Sequence, residues 1–204
     1  MYFFLISFSL LGAGIKYIDS AYDDKAFNKK LALIIAPILG LLWSYTMIIN
    51  PIAATILLSI VLGVVLKGKI DNYAHLIGVA IIVPIIFFAG VELMILPLVF
   101  LSAVAILDEV GNDYIGSTKR KIGKYKVFNN FITYFFDHRW LLKIAILFLV
   151  ILNMMPFYFF VSMILFDYAY LGIRVWSDIR LGKEFSVFNY NIKLKNNITS
   201  NNPS

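Results

Sequence analysis

The chain has 204 residues, of which 61% are hydrophobic, 16% aromatic and only 15% charged. Soluble domains are nearer half apolar and a quarter charged, so this composition excludes an ordinary soluble domain and points to an integral membrane protein. The chain has no cysteine, which excludes disulfides, thiolate catalysis and thiolate metal sites. In a membrane protein the net charge of +6 is better explained by basic cytoplasmic loops than by nucleic acid.

Seven hydrophobic stretches follow one another, at 2–18, 31–49, 52–66, 76–88, 93–107, 141–155 and 157–175. The first has no basic lead and no small-residue cleavage site before Lys16, so it reads as a span rather than a signal peptide. Asn50-Pro51, Gly90 with Glu92, and Pro156 mark turns that fold the later stretches into three hairpins. A crossing helix needs roughly 20 apolar residues, and the third to fifth stretches fall near or below the lower limit of about 17. The expected fold is an all-α, polytopic bundle of about seven transmembrane helices.

Charge sets the expected orientation. With seven crossings, every Lys and Arg falls on the face reached after the first span, while the opposite face carries Glu92 alone. Positive residues are kept on the cytoplasmic side, which puts the N-terminus outside and the C-terminus inside a cell membrane. Residues 1–182 then form one transmembrane domain. Its longest cytoplasmic loop, 108–140, contains a basic stretch and an aromatic segment, 128–140, suited to an interfacial helix. The polar, asparagine-rich tail 183–204 is expected to be disordered.

Acidic residues cluster at two span ends on that face. Asp19 and Asp23 are four residues apart in YIDSAYDD (17–24), as are Glu109 and Asp113 in LDEVGND (107–113), where Asp108 is a further carboxylate. Helical continuation past the membrane edge would put each pair on one face. Paired carboxylates repel unless a cation lies between them, and Mg²⁺ is held by one or two carboxylates plus substrate phosphates. The plain alternative is that these are solvated helix ends, neutralised by Lys16, Lys25, Lys29 and Lys30. The two clusters also head a weak internal repeat: an apolar helix ends in acid, and a charged segment and an apolar hairpin follow, at 31–66 and at 141–175. Asp167 stands apart, inside the last span, and reads either as a pocket acid or as a snorkelling partner of Arg174. His75 and His138 lack the spacing of a histidine metal site.

These features resemble the UbiA-type intramembrane prenyltransferases. IDSAYDD is similar to the latter part of that family's first Asp-rich motif, LDEVGND to its second, and VVLKGK (64–69) to its lysine-bearing stretch. The leading Asn-Asp of the first motif is absent, with Lys16 about where its Asp would stand, and the second motif is not a clean DxxxD. The family usually has nine spans against seven here. The resemblance implies an enzyme that binds an isoprenyl diphosphate through Mg²⁺ and transfers the prenyl chain to a lipophilic acceptor. It implies metal ligation by Asp19, Asp23, Asp108, Glu109 and Asp113, and substrate contacts from Lys67 and Lys69. Two other readings stand beside it. One is a small carrier, oligomeric if so, built around intramembrane Asp167. The other is a non-catalytic scaffold docking lipid or a partner through 117–140.

Overall fold

A computed structural model describes residues 1–68, 72–118, 135 and 139–182, with only the helical backbone given for 112–118. Seven α-helices lie among these residues. They are α1 (Tyr2–Tyr22), α2 (Lys29–Ile48), α3 (Pro51–Leu66), α4 (Tyr73–Ala89), α5 (Ile95–Thr118), α6 (Trp140–Ile151) and α7 (Phe157–Arg180). Three of them, α1, α2 and α7, are long and apolar enough to cross a membrane, while α3, α4 and α6 are shorter apolar helices.

Asparagine sets three of the boundaries. The Asn28 side chain accepts the Lys30 N–H, Asn50 accepts those of Ile52 and Ala53, and Asn72 accepts that of His75. Each removes a donor that the first helical turn leaves without a partner. Pro51 follows Asn50 as the first helical residue, where it forfeits no hydrogen bond. Gly90, in the left-handed conformation, ends α4.

The helices pack as a closed circuit. α1 lies against α2, α2 against α3, α3 against α5, α5 against α6, α6 against α7, and α7 returns to α1; α4 packs on α2. The units α1–α2–α3 and α5–α6–α7 are those of the sequence repeat, and the circuit maps onto itself when they are exchanged. The closest junction is α1 with α7, because Gly12 brings the backbones together: a Cβ there would fall 2.1 Å from the Phe166 carbonyl oxygen. Around it Phe8, Leu11, Phe159, Met163 and Phe166 are fully buried. Large apolar side chains such as Ile6, Ile34, Phe87, Leu96 and Phe148 face outward, as expected of a lipid-exposed belt.

Two expectations meet the structure directly. The loop expected from residue 108 begins later, since α5 runs unbroken to Thr118. The interfacial segment 128–140 falls almost wholly outside the described residues, as does the tail from residue 183.

Candidate active site

One end of the bundle encloses a cavity of about 360 Å³. The C-terminal ends of α1 and α3, the N-terminal half of α4, Glu109 of α5, Arg139 before α6 and Tyr170 of α7 contribute to its wall. Its polar rim holds Asp19, Asp23, His75, Glu109, Arg139 and Tyr170, and its body is apolar, with Ile18, Leu39, Trp43, Ile60, Val64 and Ile82. The two acidic clusters, far apart in sequence, therefore face one space. α1 continues through Tyr22, and Asp23 closes it with its N–H on the Asp19 carbonyl, so both carboxylates stay on the last turn.

Two of the rim carboxylates, Asp19 and Glu109, have defined partners. Asp19 Oδ1 lies 3.2 Å from His75 Nε2, and Asp19 Oδ2 accepts the Tyr170 hydroxyl at 3.3 Å. Glu109 Oε1 is 2.8 Å from an Arg139 guanidinium nitrogen. Arg139 also stacks over the Tyr170 ring, with 5.8 Å from its carbon to the ring centre, while the Lys16 ammonium lies 5.5 Å from the same ring. Arg139 adopts a left-handed conformation, φ 46°, costing about 1–2 kcal/mol for a residue with a Cβ. Burial alone would lower the Arg139 pKa, but Glu109, with Asp167 and Asp19 beyond it, holds it above the ordinary arginine value.

Asp108 has a different task. Its carboxylate accepts the N–H groups of Leu142 at 2.8 Å and Leu141 at 3.3 Å. It therefore caps α6, which Arg139 leaves without a side-chain cap. Burial pushes its carboxyl up to about 6, with the two N–H groups pulling the other way. Asp113 lies on α5 four residues past Glu109, with its side chain outside the described residues, and Lys69 is outside them entirely. Lys67 ends α3 through its backbone N–H on Gly63 and is not among the residues lining the cavity. Asp167 pairs with Lys143 of α6, not with Arg174, and the pair is buried.

Among the described residues no three acidic or histidine side chains gather closely enough to enclose a metal ion. Asp19 and Asp23 offer what Mg²⁺ takes from protein when phosphates complete its shell, one or two carboxylates. The two carboxylates on the α1 side of the rim meet that requirement in number and type. His75, Arg139 and Tyr170 were not assigned to the site from sequence. Arg139 precedes an apolar run, and Tyr170 lies three residues after Asp167 on one helix, but neither spacing names a partner 30 or more residues away. Comparison with protein-family models, curated proteins and solved structures finds no match.

Proposed function

We propose that this chain is a multi-pass protein of the cell membrane, N-terminus outside, that binds an isoprenyl diphosphate between its two acidic clusters and transfers the prenyl chain to a lipophilic acceptor. The observation that carries the reading is the cavity itself. Carboxylates from both clusters line its rim, and the body behind them is apolar, which suits a ligand with an anionic head and a hydrocarbon chain. Asp19 and Asp23 would hold Mg²⁺, which supplies charge stabilisation as diphosphate departs. Arg139 sits beside the carboxylates with donors for phosphate oxygens.

In the transfer, the bond between the prenyl C1 and its diphosphate oxygen breaks, and the diphosphate leaves with the electron pair. The acceptor forms its bond to C1 and gives up a proton. The apolar walls keep water from the cationic carbon. The buried Lys143–Asp167 pair counts against the carrier reading, because Asp167 is already neutralised within the bundle.

The test is thermal stability of the detergent-purified protein, with Mg²⁺ titrated in the presence and absence of geranylgeranyl diphosphate. Ligand bound to the folded state raises apparent stability by mass action, about 2.7 kcal/mol at a hundredfold excess over Kd. A shift that needs both components and is lost in Asp19→Asn/Asp113→Asn is the expected result. No shift, or the same shift in both proteins, contradicts the reading.

A further inference from the structure

Resting on that function, we propose that His75 is a positioning residue for Asp19, and that Asn72 sets which ring nitrogen of His75 faces it. The assignment follows from hydrogen-bond polarity. Asn72 Oδ1 accepts the backbone N–H of His75 at 2.9 Å, so the other end of that amide, Nδ2, is the group 2.8 Å from His75 Nδ1. An amide NH₂ only donates, so Nδ1 must accept, and the ring proton sits on Nε2. That nitrogen faces Asp19 Oδ1 at 3.2 Å. Tyr170 supplies its hydroxyl to the other oxygen.

A donor therefore faces each oxygen of Asp19, one from α4 and one from α7. An ionised carboxylate has about four lone-pair sites, so oxygen sites remain for a metal while the Tyr170 hydrogen bond and the close His75 ring confine the group from two sides. Groups that orient a metal-ligating carboxylate in this way commonly change metal affinity or activity 10–100-fold when removed. The local sequence builds the device compactly. Asn72 and His75 occupy the cap and third positions of α4, the places that pair reciprocally in a capping box. The residue that starts the helix thus also orients the ring.

Asn72→Asp separates the two roles of Asn72. Aspartate is an equally good cap, but its second oxygen only accepts, so the ring, set between two carboxylates, takes a second proton on Nδ1 and keeps its donor toward Asp19. The readouts are ¹⁵N chemical shifts of the His75 ring, in a His138→Gln background, and calorimetric binding of geranylgeranyl diphosphate with Mg²⁺. The wild type is expected to show protonated Nε2 and unprotonated Nδ1. Asn72→Asp should show both ring nitrogens protonated, and His75→Phe should bind the Mg²⁺–diphosphate about 10–100-fold more weakly with little loss of thermal stability. His75→Gln, whose amide can donate to Asp19 and accept from Asn72, should bind close to wild type. Protonated Nδ1 in the wild type, or unchanged affinity in His75→Phe, overturns the proposal. A wild type that binds no Mg²⁺–diphosphate overturns the function and the metal-positioning role together, which is distinguishable because the variants then have no affinity to lose.

Discussion

A lysine and an aspartate inside an apolar bundle are tolerated here because they meet. Lys143 and Asp167 are each less than a tenth exposed, and Lys143 also lies 4.8 Å from the centre of the Trp140 ring. Removing one member of such a pair leaves the other charge buried and costs about 3–5 kcal/mol, whereas exchanging both for apolar residues of similar size is often neutral. Lys143→Met and Asp167→Leu are therefore expected to destabilise strongly as single changes and far less together, read as thermal midpoints in detergent. Additive losses would mean that the two do not act as a pair. The sequence marked Asp167 as costly, but the nearest basic candidate by helical periodicity was Arg174. Lys143 lies on another helix, and single-sequence periodicity says nothing about which helices become neighbours.

The ends of the helices carry as much information as their lengths. Asn50-Pro51 was readable as a boundary because cap and proline chemistry are local. The start of α6 was not, since its cap is Asp108, 33 residues upstream on α5. Within LDEVGND, Asp108 accepts backbone N–H groups, and Glu109 is the carboxylate that faces the cavity.

A consequence in pH follows for Asp108, which lies past the apolar stretch of α5. Its folded pKa, about 6, is above the ordinary value of 3.8, so the folded protein keeps this proton to higher pH than the unfolded chain. The resulting stabilisation is complete below about pH 4 and lost as pH rises through about 6. Wild type should gain stability relative to Asp108→Asn as pH falls from 7 to 4. A difference between the two that does not change with pH would contradict the assignment.

At the scale of the molecule, hydrophobic spacing placed seven helical segments close to where they lie, because apolar runs bounded by Asn, Pro and Gly are local signals. The circuit of helices and its cavity were only hinted at, through the repeated order of acid and hairpin. The contacts that close it, α3 with α5 and α7 with α1, join segments distant in sequence. Because the chain lacks cysteine, orientation can be read cleanly from single introduced cysteines. Lys25→Cys, at the cavity end, is expected to be protected from an impermeant thiol reagent in whole cells and labelled after permeabilisation. Glu92→Cys should be labelled from outside. The reverse pattern would invert the orientation.

The proposed function requires that the acidic residues of α1 and α5 form one site. The most direct measurement is a double-mutant cycle on the affinity for geranylgeranyl diphosphate with Mg²⁺, using Asp19→Asn, Glu109→Gln and the pair, with folding checked by thermal midpoint. Groups acting on one ligand in one cavity are expected to couple by about 0.5–3 kcal/mol, so the double variant should depart from the sum of the singles by that amount. Strict additivity, or affinity insensitive to both substitutions, would contradict it.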